Sequence, residues 1–222
     1  DLTPELRNKE LDVAQMRACN ARLEEFFIQR STVTPGKPRQ TVHLCLVSDQ
    51  TLQNLIPARL DDYKPDHIYL LQSATMKGKA ADQRLTKALN IAGCKQVTTI
   101  NDCPDHDLPQ IIAWGGALIR RLRIDHPHTR FILNLTGGNQ LMSAALLQSM
   151  RPWCQAIYCD TEHKRLEILH PLGQAAVALP PDLVNMKIYL AAQGFTVRDS
   201  TPDGRVLDAR RELTYWLIDN TP

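Results

Sequence analysis

The chain has 222 residues and a mass of 25.1 kDa, enough for one large domain with a small appendage and for a core that needs no disulfide staples. Its 43% hydrophobic and 23% charged residues exclude disorder over most of its length, and 5% aromatics give no stacking platform for single-stranded nucleic acid. A net charge of +2 and a pI near 8.3 argue against sequence-blind binding along a nucleic-acid backbone, while leaving room for a local basic pocket that takes a small polyanion.

The chain opens on Asp1 rather than methionine and so reads as cut or processed. No signal peptide leads it, and no run approaches the roughly 18 apolar residues of a membrane span. A helix is predicted over 4–29, with Thr3 as N-cap, Pro4 in the first turn, and Leu6, Val13, Met16, Leu23, Phe26 and Phe27 at helical spacing. Ser31 to Gln40 carries two prolines and a glycine and reads as a linker. Residues 1–40 are therefore an appendage: a helix that packs on the domain, pairs in a dimer, or forms the stalk of a preceding element.

From 41 to 180 strands and helices alternate. Strands are predicted at Val42 to Val47, His67 to Leu71, Gln96 to Ile100, Arg130 to Leu135, Gln155 to Asp160 and Arg165 to His170. Helices are predicted at Leu52 to Asp62, Gly78 to Ala92, Leu108 to Asp125 and Gly138 to Met150. Repeated βα units imply a mostly parallel, Rossmann-like α/β sheet with helices on both faces. The last two strands are too close for a crossover and read as a hairpin. Gly115-Gly116 inside a helix permits close backbone approach. Pro180-Pro181 opens a small C-terminal unit, 181–222, with a helix at Asp182 to Gln193, a short strand at Phe195 to Arg198 and a helix at Val206 to Ile218. Six cysteines lie in or near apolar runs with no C-x2-C pair, so they read as buried free thiols of a reducing cytosol, not as metal ligands. His126-Pro127-His128 reads as a loop, and Arg120, Arg121 and Arg123 as a solvated helix face or part of a dimer rim.

In such a fold ligands gather where the strands end. The first strand ends in Ser48, Asp49, Gln50 and Thr51, followed by Asn54. The second ends in Gln72, Ser73, Ala74, Thr75, Met76 and Lys77. The fourth ends in Asn134, Leu135, Thr136, Gly137, Gly138, Asn139 and Gln140. All three are small, polar and rich in donors. Glycines at 137 and 138 let backbone approach a ligand, and the amides of Gly138, Asn139 and Gln140 open a helix whose dipole favours anions. The turn matches neither G-x-G-x-x-G nor G-x-x-x-x-G-K-[ST], so a dinucleotide or nucleoside triphosphate is unsupported. No G-x-S-x-G elbow accompanies Ser48, so no nucleophile is assigned.

These segments resemble the CARF domains, the CRISPR-associated Rossmann-fold sensors of type III CRISPR defence. NLTGGNQLMSAAL (134–146) is similar to their N-x-T-G-G-T-K-x-M segment, LVSDQTLQNLIP (46–57) to their first-strand V-S-x-Q motif, IYLLQSATMKGKA (68–80) to their second-strand segment and AIYCDTEHKRLEIL (156–169) to their closing hairpin. The resemblance implies a homodimer that binds cyclic oligoadenylate, most often the tetra-adenylate, across its two-fold axis. A ring with rotational symmetry suits an isologous dimer. By the same carry-over, Thr136, Gly137, Gly138, Asn139 and Gln140 contact ribose and phosphate. Ser48, Asp49, Gln50 and Thr51 belong to the floor, and Gln72, Ser73, Thr75 and Met76 to an adenine. Lys77 or Lys79 adds charge. No cofactor, metal or catalytic residue is expected.

Where family members carry threonine and lysine, this chain has Asn139 and Gln140. Some members cleave their own activator, using the ribose 2′-hydroxyl as nucleophile with positive charge to stabilise the transition state. Losing the lysine favours sensing over that ring-nuclease alternative. An unrelated Rossmann-like nucleotide binder is a weaker alternative. The resemblance places the protein in the cytoplasm, with an effector domain, or a membrane segment tethering it to the inner membrane, outside this chain. The leader 1–40 favours an N-terminal effector. Residues 181–222 resemble the connector that precedes a C-terminal one. Both readings stand.

Overall fold

The computed structural model describes residues 40–196. The helix expected at 4–29, its linker up to residue 39 and the helix expected at 206–218 lie outside the described residues. So does the end of the strand expected at 195–198.

The described chain runs β1 (Gln40–Leu46), α1 (Leu52–Leu55), β2 (His67–Ser73), α2 (Ala81–Ile91), β3 (Val97–Cys103), α3 (Leu108–Asp125), β4 (Thr129–Asn134), α4 (Gln140–Met150), β5 (Cys154–Asp160), β6 (Arg165–His170), β7 (Val177–Ala178) and α5 (Met186–Ala192). The seven strands form one sheet in the order β3-β2-β1-β4-β5-β6-β7. The first five are parallel, and β6 and β7 continue antiparallel. The expected α/β architecture and terminal hairpin are both present. Strands β1 and β4 are neighbours although two βα units separate them in sequence, so the order reverses there. A crevice opens at such a point beyond the carboxyl ends of the strands.

Both faces of the central strands are covered, which is why they read as unbroken apolar runs. Val42, Leu44 and Leu46 of β1 pack under α3 and α4 with Ile111, Ile119, Leu122, Ala145 and Leu146. The alternate residues Cys45 and Val47 pack under α1, α2 and α5 with Leu55, Leu85, Leu89, Ile188 and Ala191. Helices α3 and α4 touch closely through Gly115: a Cβ there would stand 2.6 Å from Ser149 Oγ and 2.8 Å from Leu146 Cδ2.

Four helices differ from expectation, α4 only in opening at Gln140, after its cap Asn139, rather than at Gly138. The helix predicted over 52–62 is one turn, α1, followed by two 3-10 turns, Pro57–Arg59 and Asp61–Tyr63. Pro57 supplies no amide to continue the α ladder. Helix α2 starts at Ala81, not Gly78, because Gly78 and Ala80 take left-handed φ of 93° and 53°. Helix α5 starts at Met186 rather than near Asp182; the cap is Asn185, whose side chain accepts the Ile188 amide at 3.0 Å. Ile188, Ala191 and Ala192 then bury themselves against Leu85, Ala88 and Leu89 of α2, so this part of the C-terminal segment is packed onto the sheet.

Among the described residues Cys45, Cys94, Cys103, Cys154 and Cys159 are free and buried. Burial pushes the Cys45, Cys103 and Cys159 thiols up to about 12, far from thiolate chemistry. His43 of β1 is fully buried, and neither ring nitrogen has a hydrogen-bond partner.

Candidate functional site

The loops after β1, β2 and β4 converge on the crevice at the β1/β4 switch. Their geometry is set by an asparagine ladder. Asn134, the last residue of β4, is fully buried. Its Nδ2 donates to Asn54 Oδ1 and to the Gln53 carbonyl, both at 3.1 Å. Asn54 Nδ2 in turn donates to the Leu46 carbonyl at the end of β1 at 2.7 Å. Asn134 Oδ1 accepts from Thr136 twice, from its amide at 3.1 Å and its hydroxyl at 2.6 Å. That hydroxyl also accepts from the Cys159 amide at 2.7 Å. The Thr136 side chain therefore shapes the loop and has no proton left for a ligand.

Gly137 lies directly on the end of β1. A Cβ at this position would stand 2.0 Å from the Leu46 carbonyl oxygen. Gly138 follows with φ +78° and turns the chain outward. Asn139 caps α4, its Oδ1 accepting the Met142 amide at 2.8 Å. Gly138, Asn139 and Gln140 are exposed. Their amides have no partner among the described residues. Three outward amides at the start of an eleven-residue helix make a cradle for an anion.

The other expected residues divide. Ser48 is half-buried and Asp49 and Gln50 are exposed beside this loop. Gln72 and Ser73 are 4% and 3% exposed. The only polar side-chain atoms both sealed from solvent and without a partner, among the described residues, are those of His43, so the Gln72 amide keeps some contact with solvent. Three residues turn elsewhere. The Thr51 hydroxyl is buried and donates to the Ala192 carbonyl of α5 at 2.9 Å. Met76 is half-buried and packs against the core cluster that includes α2. Lys77 pairs with Asp102 of β3 at 3.7 Å on the open surface. Lys79, by contrast, reaches Asp49 at 3.1 Å, and Arg84 of α2 approaches the same carboxylate at 3.6 Å.

Sequence reasoning missed Asp105, in the loop between β3 and α3. Its carboxylate accepts from the Thr75 hydroxyl at 2.6 Å, and its backbone carbonyl accepts from Asn139 Nδ2 at 2.9 Å. One residue thus joins the loop after β2 to the loop after β4. The Thr75 hydroxyl, with Ser73 and His106 adding to it against the cost of burial, holds the Asp105 carboxyl below the usual carboxylate range. Asp105→Ala and Thr75→Val should each lower the midpoint of urea unfolding at pH 7. Their effects should overlap by about 1 kcal/mol in a double-mutant cycle; strict additivity would mean that the bond is idle. His126 stands apart from the crevice: its Nε2 meets the Tyr69 hydroxyl at 2.7 Å near the amino ends of the strands, with His67 stacked on Tyr69 at 4.2 Å.

Residues 42–189 match the family described as the Card1 CARF domain. Among solved structures, the chain is similar to Can2 from Sulfobacillus thermosulfidooxidans, determined in complex with cyclic tetra-adenylate (TM-score 0.58, 24% identity, 81% of this chain and 48% of that one). It is also similar to protein VC1899 from Vibrio cholerae (TM-score 0.59, 14% identity, 68% and 39%). A third is a type III CRISPR defence DNA nuclease activated by cyclic oligoadenylate (TM-score 0.55, 22% identity, 91% and 35%). At these identities the likeness is one of fold, and the chain spans less than half the length of each. No curated protein matches it.

Proposed function

This chain belongs to the Card1 CARF domain family, and from that premise we propose that it is the sensor module of a type III CRISPR effector, binding cyclic tetra-adenylate across a homodimer. The observation that carries the proposal is the cradle of outward amides at Gly138, Asn139 and Gln140, set at the switch point of the sheet. Each linkage of the ring carries one negative charge, and a helix N-terminus with unpaired amides suits it without any cation. Ser48 and Gln50 line the floor. Gln72, nearly buried at the end of β2, carries the donor and acceptor that an adenine edge requires. Two copies of this edge would present identical groups to the two halves of a symmetric ring. The matched part covers only 48% and 35% of two such neighbours, which leaves room for an effector outside this chain.

The same geometry supports binding without turnover. Thr136 Oγ1 is committed to Asn134 and Cys159, and position 140 is a glutamine with no charge to stabilise a transition state. Calorimetric titration with cyclic tetra-adenylate, followed by chromatography of the recovered ligand, should give one intact ring per two chains. Linear adenylates among the products would make the protein a ring nuclease. Absence of binding by both the tetra- and hexa-adenylate would overturn the sensor reading.

A further inference from the structure

The loop after β1 carries an acid on the edge where an anionic ring would lie. Asp49 is 58% exposed at its side chain, and two cations converge on it. Lys79, from the loop after β2, donates to Asp49 Oδ2 at 3.1 Å and is 48% exposed. Arg84 is on the first turns of α2 and only 28% exposed. Its Nη1 donates to the Lys79 carbonyl at 2.8 Å, and its Cδ lies against Gly194, where a Cβ would stand 3.0 Å away. The guanidinium is therefore held at both stem and head. Its second nitrogen, Nη2, stands 3.6 Å from Asp49 Oδ1, too far for a hydrogen bond. Asp49 attracts this fork without filling it.

Resting on the reading above of this edge as the ring site, we infer that Lys79 and Arg84 form a second phosphate-recognising pair, held in the free chain by Asp49, which a phosphodiester of the ligand displaces. An exposed ion pair of this kind is weak and gives way readily. A phosphate offers the fork two oxygens where Asp49 now leaves a donor unsatisfied. Asp49, which holds the pair, follows three residues after Leu46, on which Gly137 and Gly138 of the cradle loop rest. Asp49 then works against the ligand twice: it occupies the cations, and it repels the phosphates. It thereby sets a threshold on affinity, and rejects uncharged ligands that cannot exchange with it.

The test is titration of the full chain with cyclic tetra-adenylate at about 0.15 M and 0.5 M salt, spanning a wide change in screening. Asp49→Asn should tighten binding about fivefold. Arg84→Gln should weaken it about tenfold and flatten its salt dependence, and Arg84→Lys, which keeps the charge but loses the fork, should fall between. In a Lys79→Gln/Arg84→Gln background the gain from Asp49→Asn should shrink to less than about twofold, since only the direct repulsion remains. Thermal melts of each variant identify any that fail to fold. If the wild type binds but Asp49→Asn is neutral or weaker, or Arg84→Gln is neutral, the inference fails and the sensor reading stands. If the wild type binds neither the tetra- nor the hexa-adenylate, the sensor reading itself fails and takes this one with it.

Discussion

Gly137→Ala is expected to destabilise the protein by about 3 kcal/mol and to abolish ring binding at concentrations that saturate the wild type. The added methyl would stand 2.0 Å from the Leu46 carbonyl oxygen and 3.0 Å from its carbon. Neither atom can swing aside. Leu46 is paired in register with Leu71, its carbonyl already accepts from Asn54, and the neighbouring Cys45 is paired with Asn134. The loop must lift off β1 instead, which pulls the cradle amides away from the crevice and strains the Asn134 ladder. Gly138→Ala is the control. Its methyl meets side-chain atoms of Leu46 rather than backbone, Cδ1 at 2.9 Å and Cβ at 3.3 Å, and the main cost is the left-handed φ of +78°, about 1 kcal/mol. Thermal unfolding should separate the two, with a drop of about 10 °C for Gly137→Ala and about a third of that for Gly138→Ala. Equal melts for Gly137→Ala and the wild type would show that β1 can yield where its pairing says it cannot.

Acidification is expected to remove about 3 kcal/mol between pH 7 and pH 4 through His43 alone. Burial pushes this imidazole down to about 4, and the Arg130 charge adds to the effect. The Tyr63 backbone opposes it by more than the Arg130 charge adds, without reaching hydrogen-bond geometry. The unfolded chain, with an ordinary histidine near 6.5, binds a proton over a range where the native chain binds none. The stabilisation is therefore complete above pH 6.5 and is lost as pH falls through the folded value near 4. His43→Leu removes both the titration and a buried polar group without a partner, so it should be neutral or stabilising at pH 7. It should also flatten the pH dependence by about 3 kcal/mol, read from urea unfolding at the two pH values. Parallel pH profiles for variant and wild type would refute the assignment.

The central strands β1, β2 and β4 were legible because each is a largely apolar, largely buried run that ends in a burst of small polar residues. The fold and three of the site loops follow from that contrast alone. The positions of Thr51 and Met76 did not. A polar residue just past a strand looks the same whether it faces the crevice or, as Thr51 does, the back of a helix 141 residues away. Asp105 escaped notice because β3 is an edge strand with an alternating, half-exposed pattern. Its end is blurred, and the loop after it carries no glycine pair to mark it. Arg84 was hidden for the opposite reason: an arginine four residues into an amphipathic helix looks like any solvated charge until Asp49 is seen beside it.

The crevice is assembled from parts of the chain made far apart. Asn134 meets Asn54 across 80 residues, and the Thr136 hydroxyl is fixed by Cys159. Closing loops of that length must precede any reward from the contacts they bring, so these are among the slow steps of folding. As the chain leaves the ribosome, the first strand emerges with its floor residues long before anything can stand opposite them. A chain stalled or clipped before Cys159 would carry Ser48, Asp49 and Gln50 without the contact that fixes the Thr136 hydroxyl. If the chain binds the ring as proposed, capture would report on a finished molecule, and incomplete copies would stay silent.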